Sequence, residues 1–356
     1  LLQRAYVLMS ENNMTEDLLS WYDVNARELP WRISPGDGKK DISPNPYYIW
    51  MSEIMLQQTT VAAVKEYFIK FTTLWPTVFD MAEANDEDVM AAWAGLGYYA
   101  RARNLLKCAR IIKDQYNGKF PCNEKDLLSL PGIGPYTAAA IMSIAFDEKA
   151  IVLDGNIERV MSRIYAVEEP LPNSKKSLWL LASGLTPDNR PGDYAQAVMD
   201  LGATVCTPRS PKCDLCPWNL NCLGLIKGIA RDLPFKVPKL KKPTRVGIAY
   251  VAINGDQSLL LERRPDKGLL GGMLGWPGSD WAITQAQHLE PLDADWITLN
   301  NIIRHTFTHF HLELTVKFAS NVKTKPRIGE FLSMEDFNPQ DLPTVMRKVW
   351  SMVSKL

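Results

Sequence analysis

The chain lacks a charge of either sign: 40 basic side chains offset 40 acidic ones over 356 residues. That balance argues against a protein that holds nucleic acid by bulk charge alone. It also lacks a long apolar run, so no membrane-spanning helix is expected, and its 46% hydrophobic content reads as soluble and globular. No secretory or transit pattern stands at the start, where residues 1–13 hold one Arg and two Asn beside a short apolar patch. The cytoplasm is the expected compartment. No Met opens the chain, so a few residues are expected to precede it. What remains is length, enough for two domains with separate cores.

Local charge departs from the overall balance. Residues 209–245 carry nine basic side chains, Arg209, Lys212, Lys227, Arg231, Lys236, Lys239, Lys241, Lys242 and Arg245, against two acids, Asp214 and Asp232. A basic stretch is often only a solvated face, but this one borders a cluster of cysteines and suits phosphate contact.

The most informative stretch is Leu130-Pro131-Gly132-Ile133-Gly134-Pro135-Tyr136-Thr137. Pro131 and Gly132 cannot continue a helix beyond Leu130, and 137–146 reads as a second, apolar helix. The glycines let the turn approach a phosphate, and the free N–H groups opening the second helix form an anion site. Asp154 follows where an apolar run stops and a helix over 157–165 begins. Its simplest role is to cap that helix, where N–H groups and the helix dipole hold it ionised. Glu53 lies within 48–59, a stretch dense in Ile, Met, Leu and Trp that reads as a buried helix. Burial raises a carboxyl pKa, and a carboxyl still protonated near neutrality serves as a general acid. One carboxyl in an apolar wall and one at a helix start have pKa values pushed apart, the pattern of an acid with an ionised partner.

Elsewhere in the first part, Thr15 is expected to cap a helix with Leu18, Leu19 and Tyr22 facing inward, ended by 27–32. Residues 34–46 read as a loop. Helices over 86–94 and 99–116 flank the turn Gly95-Leu96-Gly97-Tyr98-Tyr99, followed by Arg101, Arg103, Lys107 and Arg110. Leu96 and Tyr98 are either core or, exposed beside bases, wedges for a base stack. Helices over 174–181 and 193–203 follow. Cys206, Cys213, Cys216 and Cys222 then fall within seventeen residues. In a cytoplasmic protein four such thiols indicate a metal centre, zinc or iron–sulfur, which spacing alone does not separate. Cys108 and Cys122 read as ordinary free thiols.

From 233 to 243 a Pro/Lys-rich composition reads as a linker. The period then turns to alternation, and 245–251 pairs with 259–263 through Asn254-Gly255 as a hairpin, the start of an α+β domain. All four histidines lie here. On a strand His305, His309 and His311 would share one face, a conceivable metal site with no cysteine or carboxylate to complete it before Glu313.

The hairpin and Asp154 resemble the helix-hairpin-helix base-excision DNA glycosylases, and the cysteine spacing resembles the 4Fe-4S loop of the endonuclease III and MutY glycosylases. From about Leu18 onward the chain resembles the MutY family of adenine DNA glycosylases. Residues 268–278 resemble the approach to a Nudix site, although no REx2EE-type run of acids follows, so Mg2+-dependent phosphohydrolase chemistry is not expected. The resemblance implies a mainly α helix-hairpin-helix domain over 1–232 including the iron–sulfur loop 206–222, the linker 233–243, and an α+β Nudix-like domain over 244–356. It implies a monomer that removes adenine mispaired with 8-oxoguanine from double-stranded DNA and that carries a 4Fe-4S cluster on Cys206, Cys213, Cys216 and Cys222. Glu53 would protonate the adenine and Asp154 stabilise the sugar cation, oriented by Tyr136 and Asn156. Leu29, Trp31, Arg32 and Gln196 would surround the flipped base. Gln58, Leu96 and Tyr98 would fill or wedge the duplex, and Gly132 and Gly134 would hold a phosphate. Phe307, Thr308 and His309 match the family's lesion-sensing loop, with Thr308 where the bacterial pattern has serine. Two other readings stand beside this one. An endonuclease III-like glycosylase and lyase needs an amine, where this chain has Tyr136. A non-catalytic DNA-binding module leaves the paired carboxylates unexplained.

Overall fold

Helical signals dominate the chain up to residue 238 and strand signals dominate beyond it, and the structure divides at that point. It is a computed structural model that describes residues 2–35, 43–238, 241–265, 268–284 and 288–356, with the side chains of 13 onward. Two compact units result, Leu1–Pro238 and Lys239–Leu356.

The first unit is helical: α1 (Leu2–Asn25), α2 (Pro46–Leu56), α3 (Val61–Leu74), α4 (Val78–Glu83), α5 (Asp86–Trp93), α6 (Ala100–Tyr116), α7 (Glu124–Ser129), α8 (Pro135–Phe146), α9 (Gly155–Ile164), α10 (Lys175–Leu185), α11 (Pro191–Thr204) and the short α12 (Leu223–Ile226). Local chemistry starts them. Asn45 accepts the Tyr47 N–H and Pro46 takes the first position of α2, while Thr77 and Asp80 form a reciprocal capping box on α4. α2 is buried along almost its whole length through Tyr47, Ile49, Trp50, Met51, Ile54 and Met55, and it packs on α8 and α3. α11 lies against α8, α9 and α1.

Two expectations are corrected here. Thr15 does not cap a helix: it sits inside α1, and its hydroxyl donates to the Leu185 carbonyl at 2.9 Å, a tertiary partner that local sequence does not reveal. Leu18 and Tyr22 are fully buried, as the pattern requires. Residues 233–238 are not a free linker. Leu233 is buried, Leu171 N–H donates to the Phe235 carbonyl and Val237 N–H to the Leu171 carbonyl, so this strip is bonded onto the first unit. Of the loop expected over 34–46, residues 36–42 lie outside the described residues, as do 239 and 240 of the linker.

The second unit is built on β1 (Thr244–Asn254), β2 (Leu259–Arg263), β3 (Leu274–Gly275), β4 (Ile297–Thr298), β5 (Ile303–Thr306), β6 (His311–Val322) and β7 (Glu330–Leu332), with α13 (Thr344–Val353). The sheet order is β3-β2-β1-β6-β4, with β5 pairing β6 and β7 pairing β2. Asn254 makes the expected hairpin, its side-chain oxygen accepting from the Asp256 and Ser258 N–H groups. The central pairing is parallel, with Thr244 opposite His311 through Val251 opposite Phe318. α13 closes the core with Val345, Met346, Val349 and Val353.

Candidate active site

Glu53, near the C-terminal end of α2, is 5% exposed and its Oε2 accepts the Tyr136 hydroxyl at 2.9 Å. Burial pushes its carboxyl up to about 7; the Asp154 charge adds to the rise, while the Tyr136 hydrogen bond and the Arg32 cation oppose it. Burial and the two neighbouring carboxylates hold the Tyr136 phenol well above its ordinary value, so it remains a donor. Both side chains line a cleft of about 870 Å³ together with Asp154, Asn156, Gly132 and Gly134. The turn that the glycines bend therefore opens onto Glu53, which lies far away in sequence.

Asp154 caps α9: its Oδ1 accepts from the N–H groups of Asn156 at 2.9 Å and Ile157 at 2.7 Å. Asn156 also donates through Nδ2 to Oδ2 at 3.3 Å. Burial raises this carboxyl from its ordinary value. The Ile157 and Asn156 N–H groups and Arg159 only counter that rise.

The wall of the cleft comes from the strip after α1 and from α11. Leu29 and Trp31 are buried, with Trp31 edge-on to Phe68 at 5.3 Å. Gln196 is buried on α11, its Nε2 donating to the Gly192 carbonyl. Arg32 Nη1 lies 2.8 Å from both oxygens of Asp200, which also accepts from Arg27 N–H at 2.9 Å and Arg27 Nε at 2.7 Å. Asp200 is wholly buried and was not singled out from the sequence. The signal was available: an acid one helical turn from Gln196, set within the apolar run from Ala197 to Leu201.

At the hairpin, Gly132 has φ +81 and needs to be glycine, whereas Gly134 is extended at φ −99 and caps α8. A side chain at Gly134 would meet nothing within 4 Å, so conformation does not require glycine there; the open space in front of the N–H groups suits a ligand. Gln58 and Tyr98 are both exposed with left-handed backbones, φ +58 and +51. Leu96 departs from the expectation. It is 7% exposed and packed in the helical core, whereas Tyr98 is half exposed, so of the two Tyr98 is the side chain this turn presents to solvent. Arg101 is not a surface cation either. It is buried and donates to the carbonyls of Ile54, Met55, Leu96 and Gly97 and to the Thr59 hydroxyl.

Cys206, Cys213, Cys216 and Cys222 line one small cavity with Val160, Ile164, Leu201, Val205 and Leu225. Burial, reinforced by the other cysteines, pushes Cys216 up to about 12 and also raises Cys222. Four thiolates gathered in such surroundings require a positively charged group between them, so the donor set fits a metal centre. Two arginines of α9, missed in the sequence, tie this loop to the helix that Asp154 caps. Arg163 donates through Nη1 to Cys206 Sγ at 3.3 Å, and Arg159 bridges the Cys206 carbonyl at 2.9 Å and the Asn156 Oδ1 at 2.9 Å.

In the second unit, Phe307, Thr308, His309 and Phe310 form the turn between β5 and β6, closed by Phe307 N–H to the Phe310 carbonyl at 2.9 Å. Phe307 packs against Trp281, Phe310 and His305 and anchors the turn, while Thr308 and His309 are exposed. The shared strand face expected of the histidines is not formed: His309 lies in the turn between β5 and β6, and His311 bonds to Thr306.

Comparison with known proteins agrees with this geometry. Residues 51–182 match the HhH-GPD superfamily of base excision DNA repair proteins, 206–222 the iron-sulfur binding domain of endonuclease III, and 248–352 the NUDIX domain. A thermostable thymine-DNA glycosylase structure, 32% identical, covers 61% of this chain and 97% of its own with a TM-score of 0.53. An endonuclease III–DNA complex at 22% identity and a TM-score of 0.51, covering 62% of this chain and 98% of that one, shares the fold. The chain accordingly carries a 4Fe-4S cluster, and the four cysteines of the matched loop are a donor set that fits its positive core. Among the described residues no helix is long and apolar enough to cross a membrane. The human adenine DNA glycosylase is 34% identical over 94% of this chain and 72% of its own length, and that of Buchnera aphidicola from Schizaphis graminum is 32% identical over 93% and 96%. With both units and the cysteine loop matched in one continuous relationship, the chain belongs to the adenine DNA glycosylases.

Proposed function

We propose that this chain hydrolyses the N-glycosidic bond of adenine in duplex DNA, acting on adenine opposite 8-oxoguanine, as a monofunctional and monomeric cytoplasmic enzyme. The observation that carries the reading is a carboxyl shifted to about 7 at Glu53, bonded to Tyr136 in the cleft that also holds Asp154. The adenine leaves the stack at a cost of a few kcal/mol, which a mispair reduces. Leu29, Trp31, Arg32 and Gln196 surround it, Gln58 and Tyr98 occupy the space in the duplex, and Gly132 and Gly134 offer N–H groups to the backbone. Glu53 gives its proton to a ring nitrogen, the C1′–N9 bond breaks, and the bonding pair departs with the neutral base. Asp154, oriented by Asn156, faces the positive charge that develops on the sugar. Water adds to C1′ and its proton returns to Glu53. Thr308 and His309 read the 8-oxoguanine, which carries a ring N–H where guanine has a bare acceptor.

A second reading, strand cleavage through a Schiff base, has one observation in its favour: the Lys175 amine lines the same cleft, paired with Glu158 at 3.1 Å. The test is a single-turnover reaction on a duplex with one adenine opposite 8-oxoguanine. Free adenine should be released, with strand breaks only after alkali and no borohydride-trapped adduct. An absence of released adenine sinks the proposal, and a trapped adduct lost in Lys175→Gln establishes the second reading.

A further inference from the structure

Asp200 has a larger role than its place beneath the cleft wall suggests. A carboxylate with no exposed side-chain surface is stable only when its lone pairs are taken, and here four hydrogen bonds take them. All four come from the two ends of the strip 27–32, which between those ends carries Leu29 and Trp31. Asp200 stands one turn after Gln196 on α11, so the two project from the same helix face. One carboxylate thus fastens the strip to the helix and fixes the Arg32 guanidinium beside Glu53. The charged and titratable groups around Glu53 are Tyr136 from α8, Asp154 at the start of α9 and Arg32, with Arg27, Glu158 and Lys175 further along the cleft. Among the described residues Arg32 is the one cation that acts on Glu53, and Asp200 grips it through both oxygens.

We propose that Asp200 is a positioning residue for base excision: it sets where the Arg32 cation stands relative to the flipped base and to Glu53, and so governs the chemical step rather than duplex affinity. This rests on the excision reading above. Wild-type protein that releases no adenine refutes that reading; the variants below are compared only with active wild type.

Asp200→Asn keeps the shape of the side chain and removes the charge that holds Arg32. Single-turnover excision should fall at least tenfold while affinity for the same duplex stays within twofold. Arg32→Gln removes the cation that holds the Glu53 carboxyl down, so the alkaline limb of its rate–pH profile should move up. Asp200→Asn leaves the same cation unneutralised and free to shift, so its limb should leave the wild-type position. The double variant should be no slower than Arg32→Gln alone. Arg27→Gln removes the other anchor of the strip but leaves the Arg32 contact, and should keep the wild-type pH profile. A limb that stays fixed in Asp200→Asn, strictly multiplicative losses in the double variant, or a wild-type rate in Arg32→Gln each overturns the proposal. Should Asp200→Asn fail to fold by circular dichroism, Asp200→Glu carries the test. Slowed excision with a displaced alkaline limb at unchanged affinity supports the role, and a wild-type profile overturns it.

Discussion

The two units bury different things. In the first, Glu53, Arg101, Arg159, Arg163 and Asp200 all lie below a tenth exposed; in the second, Ser279 is the one polar residue so buried among the described residues. The first unit holds its charges in fixed, desolvated geometry, where each acts strongly on its neighbours and none relaxes freely. The second is an apolar sheet-and-helix core that carries its polar groups outside, Thr308 and His309 among them. Chemistry that creates and destroys charge demands the first arrangement. The proposed recognition of one added N–H on a base needs only exposed polar groups on a rigid support, which the second offers.

The largest effect that would break this contrast is on catalysis. Glu53→Gln and Asp154→Asn should each lower single-turnover adenine release by about a hundred- to ten-thousand-fold, with duplex affinity kept. Rates within tenfold of wild type would remove the catalytic meaning of the buried carboxyls. In the wild type, excision should decline as pH rises through about 7, because Glu53 must hold its proton. On the acid side, the fall should begin above the ordinary Asp range, because the Asp154 carboxyl is raised.

Stability should separate the units next. Arg101→Ala leaves several buried carbonyls without donors at about 1 to 3 kcal/mol each, so the first unit should lose about 3 kcal/mol or more in urea unfolding. Glu53→Gln should act in the opposite direction. The folded pKa lies above the unfolded one, so the native state holds the proton more tightly, and stability falls as pH rises from about 4.5 to about 7. A Gln escapes that loss, and at pH 8 the variant should exceed wild type by up to about 3 kcal/mol, the difference vanishing near pH 4. Equal stabilities at pH 8 would show that Glu53 carries no desolvation burden.

The smallest effect belongs to the second unit. Replacing Phe307, Thr308 and His309 by Ala should narrow the preference for adenine opposite 8-oxoguanine over adenine opposite guanine by about five- to tenfold, since one hydrogen bond contributes about 1 kcal/mol. Excision at saturating enzyme should persist. An unchanged ratio in a variant folded by circular dichroism rules out the turn as the sensor.

How far the sequence led depends on whether a partner is near in the chain. Gly132, Asp154 and Asn254 act on backbone within a few residues, and their turns and caps were legible. Thr15 bonds to Leu185 and Arg32 to Asp200, so a helix start was misplaced and a buried ion pair was missed. The parallel pairing of β1 with β6 lay beyond reach for the same reason, since nothing in either strand names its neighbour. Leu96 and Tyr98 share one turn and one apolar character, and only packing around Leu96 decides which of them faces outward.

The guanidinium of Arg101 joins two parts of the molecule that the chain order keeps apart. It clasps the end of α2 just before Gln58 and the turn that carries Tyr98, lying 5.4 Å from the Tyr98 ring. The two exposed tips are therefore prongs of one fork with a set span. A displacement of either tip is therefore passed to the other through a single side chain.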